Sequence, residues 1–106
     1  MLEQKEISPR EAYANYMLGN SVFVDVREND ESARQQPDLN KLMHIPLSEL
    51  EDRASELPAD KPVICMSWVG SRSHNAARML NQKGFHNVKV VDGGIVAWED
   101  EGLPVR

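Results

Sequence analysis

The stretch Pro62-Val63-Ile64-Cys65-Met66-Ser67-Trp68-Val69-Gly70-Ser71-Arg72-Ser73 decides how the chain reads. Its first five residues form a short apolar run, the pattern of a strand buried on both faces. A loop from Ser67 to Ser71 follows, with Gly70 inside it. From Arg72 or Ser73 a helix is predicted through Ala76, Ala77 and Leu80 to Lys83, and Gly84 stands where a left-handed helix end is wanted. When a strand turns into a helix through so short a loop, backbone amides converge on one point. The helix amino terminus adds partial positive charge there, so the place suits an anion. Gly70 gives the loop backbone freedom, and Arg72 sets a fixed charge at its rim.

Upstream, Ser8-Pro9-Arg10-Glu11 has the parts of a capped helix start: a hydroxyl for the free amides, proline at the first position and a glutamate three residues after the serine. That helix should pass Tyr13 and Tyr16, reach about Leu18 and stop at Gly19-Asn20. Val22-Phe23-Val24-Asp25-Val26 reads as a second buried strand. Residues 28–41 are polar and give no pattern beyond Pro37, which breaks any long helix. His44-Ile45-Pro46-Leu47 is too short to classify. Ser48-Glu49-Leu50-Glu51 reads as a second capping box, opening a helix to about Leu57 before Pro58. Downstream, Val88-Lys89-Val90-Val91 is a third strand, Asp92-Gly93-Gly94 a turn and residues 95–101 a last short helix. Strands alternating with helices over short connections imply a small parallel α/β sheet with helices on both faces, a three-layer sandwich.

Composition narrows the function. The 106 residues are 41% hydrophobic and 27% charged, ordinary globular usage for one domain over residues 1–106. A net charge of −5 argues against nucleic acid, whose phosphates need a basic face. Cys65 is the only cysteine, so no internal disulfide and no cysteine-rich zinc site can form. The three histidines, His44, His74 and His86, have no ligand-like spacing, so neither a metal nor another cofactor is expected. The apolar stretches are far too short to span a bilayer, and the start of the chain lacks a secretory pattern. A cytoplasmic setting is the expectation.

With these residues in view, the chain resembles the rhodanese family. The similar stretches are Val24-Asp25-Val26-Arg27, Ile45-Pro46-Leu47-Ser48-Glu49-Leu50, the 62–73 stretch, Gly84-Phe85 through Val88, and Gly93-Gly94-Ile95 with Ala97-Trp98 to Gly102-Leu103-Pro104-Val105. Each piece is weak by itself; their order and spacing together are highly specific. The resemblance implies a rhodanese-like fold and a sulfurtransferase activity. A loop cysteine takes sulfur from a small anion such as thiosulfate, becomes a persulfide, and passes the sulfur to cyanide, a thiol or a protein acceptor.

In the family that cysteine precedes the loop arginine by four intervening residues. Counting back from Arg72, or forward from Pro62, reaches Ser67 both times. Ser67 and Arg72 are therefore the catalytic positions that the resemblance assigns. Trp68, Val69, Gly70, Ser71 and Ser73 make the anion-binding loop, with Asp25 and Arg27 in support. An oxygen cannot carry a persulfide, and no histidine–carboxylate pair is evident to activate Ser67 as a hydrolytic nucleophile. Three accounts stay open: an inactive member that binds an anion or a protein partner, an engineered Cys-to-Ser form of an active enzyme, or a shifted register with Cys65 as nucleophile. The related dual-specificity phosphatases place five residues between cysteine and arginine, which neither Ser67 nor Cys65 matches.

For single residues the plain alternatives are packing for Cys65, Trp68 and Trp98, helix capping for Ser71 and Ser73, and structural roles for Asp25, Arg27, His44 and His74. The family often has Gly-His-Ile-Pro-Gly-Ala where this chain has residues 32–43, a divergence that bears on substrate identity and favours a partner surface.

Overall fold

Every strand of the sheet points the same way, so each connection must cross back over a face. The computed structural model of the chain describes residues 5–29 and 35–106. In chain order these form β1 (Lys5–Ile7), α1 (Pro9–Met17), β2 (Val22–Asp25), β3 (Met43–His44), α2 (Leu47–Arg53) and a single 3-10 turn (Ala54–Glu56). They continue with β4 (Val63–Met66), α3 (Ser71–Gln82), β5 (Val88–Val91) and α4 (Gly94–Asp100). The spatial order is β1-β5-β4-β2-β3, all pairs parallel. The protein is thus a mixed α/β fold with helices on both faces.

β4 lies at the centre and is buried along its whole length. Val63 and Cys65 point into one core, with Val24, Val90 and the helix residues Leu50, Ala76, Ala77 and Leu80. Ile64 and Met66 point into the other, with Phe23, Val91, Ala12, Ile95 and Trp98. α2 and α3 therefore cover one face, and α1 and α4 the other. Trp98 is fully buried, meets Tyr13 and Phe23 edge-on at 5.7 and 5.6 Å, and donates its indole N–H to the Pro104 carbonyl at 2.9 Å. It is a packing residue, as its sequence context predicts.

The first capping box forms as expected: Ser8 Oγ accepts from the Glu11 amide at 3.1 Å, and the Ser8 amide reaches Glu11 Oε1 at 3.4 Å. The second does not. Pro46 holds the cap position of α2 with no side-chain bond, and Ser48 lies inside the helix. Its hydroxyl donates instead to Glu28 Oε1 at 2.9 Å, a tertiary partner that local sequence could not reveal. Nor does that helix continue to Leu57. It stops at Arg53, whose guanidinium bridges Glu49 and Glu56 at 2.9 and 2.8 Å across the 3-10 turn. The other helix and strand ends fall within one or two residues of their predicted places, the usual uncertainty of termini. β1 was not foreseen, because Lys5-Glu6-Ile7 carries one apolar side chain; its partner β5 supplies the hydrogen bonds that make it a strand.

At the carboxyl end of β2, Asp25 and Arg27 form a fully buried ion pair, with Arg27 Nη2 on Asp25 Oδ2 at 2.9 Å. Asp25 Oδ1 also accepts from the Arg27 amide at 3.0 Å, and Arg27 Nη2 donates on to the Gln35 carbonyl. His44 Nε2 sits 2.8 Å from the Arg27 carbonyl. These contacts tie the β2 end to the loops around it. Of the divergent 32–43 segment, residues 32–34 lie outside the described residues. The rest is fastened to the chain's last residues: Gln36 and Arg106 exchange backbone bonds at 3.1 and 2.9 Å, and Leu39 enters the core. Among the described residues no helix is long and apolar enough to cross a membrane.

Removing one partner of a buried pair leaves the other charge uncompensated, which costs about 3–5 kcal/mol. Asp25→Ala is therefore expected to lower the unfolding free energy by about that amount in a urea titration. A loss near zero would show that Arg27 finds a replacement partner.

Candidate functional site

The carboxyl ends of the central strands are where an open parallel sheet presents its loops. β4 ends at Met66, and only four residues separate it from α3. Gly70 makes this possible with φ +117°, a conformation that side-chain-bearing residues resist. It is also the cap residue of α3 and brings no side chain of its own to that helix end. The Ser73 hydroxyl donates to the Gly70 carbonyl instead of capping a helix amide, and the side chain of Ser71 lies outside the described features.

Ser67 is 1% exposed. Its Oγ accepts from the Gly70 and Ser73 amides at 3.1 and 3.2 Å. Its own proton goes to Ser73 Oγ at 3.2 Å, and Ser73 in turn donates to the Gly70 carbonyl at 2.8 Å. Side-chain atom 67 therefore occupies a focus of backbone N–H groups with a hydroxyl beside it. The partners described for Ser67 include no histidine. An atom here feels donors aimed at negative charge, not a base that would remove a proton.

The loop is held from below by the chain after β5. The Ile95 and Val96 amides donate to the Ser67 and Trp68 carbonyls at 2.9 and 3.3 Å. This close approach requires Gly94: a Cβ there would stand 2.3 Å from the Ser67 carbonyl oxygen and 2.5 Å from that of Trp68, at a φ of +60°. Sequence reasoning treated Gly93-Gly94 as a turn and missed this clamp. Two consecutive glycines directly after a buried strand were the available signal.

The remaining positions fall as follows. Trp68 and Val69 are 46% and 55% exposed, so neither packs away into the core. Arg72 is half-buried in the first turn of α3 and is not without a partner. His74, one turn into α3, lies 3.3 Å from Glu6 of β1. Asp25 and Arg27 stand beside the loop, because the Val26 amide donates to the Met66 carbonyl at 2.9 Å.

Cys65 lies elsewhere. It is wholly buried in the first core, between Val24 and Val90 in the register of the sheet. Burial pushes its thiol from the ordinary 9.0 up to about 12.

These features define a parallel α/β protein with an amide-lined loop at the carboxyl end of its central strand. The family model for the rhodanese-like domain matches residues 8–101. The thiosulfate sulfurtransferase GlpE of Actinobacillus pleuropneumoniae is 31% identical over 101 residues, covering 95% of this chain and 92% of that protein. A sulfurtransferase of Allochromatium vinosum is 35% identical over 85 residues, covering 79% and 77%. The crystal structure of a rhodanese-related protein from Thermoplasma volcanium superposes with a TM-score of 0.84 at 31% identity, over 96% of this chain and 97% of that one. The chain belongs to the rhodanese-like domain family and is related to thiosulfate sulfurtransferases.

Three outcomes follow from this geometry. Gly94→Ala should cost at least about 2 kcal/mol, because the added methyl meets backbone at a strained φ; unchanged stability in denaturant would show that the clamp yields. Cys65 should resist a thiol reagent at pH 8 in the folded chain and react at once in denaturant. With the folded pKa above the unfolded one, Cys65 favours the native state fully below about pH 9, and that contribution falls away as the pH rises toward about 12. Cys65→Ala should flatten this alkaline slope in pH-dependent unfolding curves.

Proposed function

We propose that residues 67–73 form an anion-binding loop of the sulfurtransferase type, and that this chain binds a small sulfur anion such as thiosulfate there without carrying sulfur. The observation that bears most weight is the placement of two residues. The side chain at the amide focus is a serine, and the chain's one thiol is buried in the sheet. Neither can serve as a persulfide carrier: oxygen forms no persulfide, and a thiol pushed up to about 12 supplies almost no thiolate at neutral pH.

In this reading the amides of Gly70 and Ser73 hold the side-chain atom at 67, here the Ser67 hydroxyl or the sulfur of a cysteine placed there, and the anion lies over that atom. Ser71 and Arg72 complete the loop, and Arg72 carries the positive charge at its rim. Asp25 and Arg27 hold the neighbouring backbone, and Trp68 and Val69 form the exposed lip against which a protein partner would rest. The names of the relatives support a thiosulfate-like ligand, and a thiol or protein acceptor would apply to a form able to carry sulfur. No cofactor or metal is needed. The reading covers residues 1–106 as one domain in a cytoplasmic setting.

The test is restoration. In Ser67→Cys the thiolate attacks the outer sulfur of thiosulfate. A sulfur–sulfur bond forms to Cys, the bond within thiosulfate breaks, and sulfite leaves with its electron pair. Intact mass should then gain one sulfur atom, and cyanide should remove it as thiocyanate. The unaltered chain should give no thiocyanate above background under the same conditions. Thiocyanate from the unaltered chain that disappears in Cys65→Ala would assign the chemistry to Cys65 and overturn this reading. A Ser67→Cys chain that folds but gains no sulfur would remove the loop's claim to the anion.

A further inference from the structure

At the opposite end of the sheet, a cavity of about 330 Å³ opens between the end of α1 and the segments leading into β2, β3 and β4. Tyr16, Met17, Val22, Met43 and Pro58 give it an apolar wall, and Lys41 and Lys61 line it as well. Met17 and Leu18, 62% and 73% exposed, continue the apolar surface beyond it.

The wall is fixed by the fold. The Tyr16 hydroxyl accepts from the Lys41 amide at 2.8 Å, which binds the Asn40-Lys41 segment to α1. The Tyr16 ring stands edge-on to Phe23 of the core at 6.2 Å, and the Val22 amide donates to the Pro62 carbonyl at 2.8 Å. The hollow is therefore preformed, as ligand sites usually are.

We propose that this cavity binds a small amphiphilic carboxylate, an alkyl or aryl chain ending in one carboxyl group. The chain lies against Met17, Val22, Met43 and Pro58, and the carboxylate pairs with Lys41 and Lys61. Charge carries the assignment. The sequence has five lysines, and two of them line this one cavity. Among the described residues no carboxylate lines it and neither ammonium joins an ion pair. Two cations beside apolar surface match an anion with an apolar body.

A net charge of −5 repels a polyanion as it approaches, but hardly a single carboxylate. A second hollow of about 230 Å³, reached past Tyr16 and Asn40, bears Asp38, which is already paired with Arg106 at 3.4 Å. The negative end of the ligand is thereby directed to the lysine side. The volume is at the small end for ligand sites, which fits a short chain and excludes a large cofactor.

The experiment uses octanoate as probe and the full chain labelled with nitrogen-15. Saturable amide shifts are expected at Tyr16, Val22, Lys41 and Met43, with residues 67–73 unmoved. Octanamide, equal in length and uncharged, should bind about two- to fivefold more weakly, the scale of an exposed charge pairing. The double variant Lys41→Gln/Lys61→Gln should hold octanoate no better than octanamide, and its own spectrum reports that it is folded. Equal affinities for the two probes, or undiminished octanoate binding by the double variant, would overturn the carboxylate assignment. Absent shifts, or shifts confined to residues 67–73, would overturn the site. None of these readings depends on sulfur chemistry at residue 67.

Discussion

The period of a single strand governs everything else in this protein. β4 is covered on both faces, so its side chains alternate between two cores, Val63 and Cys65 to one, Ile64 and Met66 to the other. Its register against β2 and β5 is fixed by the hydrophobic partners on each side, Val24 and Val90 for Cys65 and Phe23 for Ile64. A slip of one residue would exchange the two cores, which neither face could accommodate. The thiol is thereby committed to the interior, and the first residue free of the sheet is Ser67.

That residue enters a place built by backbone, not by side chains. Gly70 turns the chain, α3 begins beneath it, and the amides of Ile95 and Val96 hold the Ser67 and Trp68 carbonyls from the far side. Such a site is indifferent to the identity of the side chain at 67, because its donors belong to peptide groups that persist under substitution. A hydroxyl satisfies them through two accepted bonds and one donated bond. A thiolate or a bound anion would satisfy them more fully, since fixed N–H dipoles gain most from negative charge in a water-poor setting. The fold thus keeps two backbone amides converged on residue 67, where this chain has a hydroxyl.

Much of this was legible in the sequence, and the boundary of legibility is physical. The buried strands announced themselves because apolar, β-branched runs have few other uses, and the Ser8 capping box is a wholly local device. The family resemblance rested on spacings within short segments, which survive divergence. What stayed hidden depended on partners distant in the chain. Ser48 resembled a cap until Glu28 claimed its hydroxyl, β1 needed β5 to become a strand, and the role of Gly94 required the Ser67 carbonyl to arrive against it. The Asp25–Arg27 pair lies between these cases: residue types two apart were visible, but full burial of both charges was not.

Net charge would suggest a molecule that avoids anions, and the structure explains why that inference is too coarse. The acidic side chains that make up the balance are mostly on the surface, where solvent screens them. At the carboxyl end of the sheet, amides converge on the side chain of residue 67, and Arg72 brings the one formal charge of residues 67–73. At the amino end, two lysines stand beside apolar surface, and among the described residues no carboxylate lines the same hollow. Both ends create a local field of the sign opposite to that of the whole, one with dipoles and the other with ammonium groups. The difference matters for selectivity. Dipoles converging on a buried point suit a small anion with little apolar surface, whereas exposed cations beside a hydrophobic wall suit one whose body is greasy. A parallel sheet, with its distinct ends, lets one small chain hold the two apart.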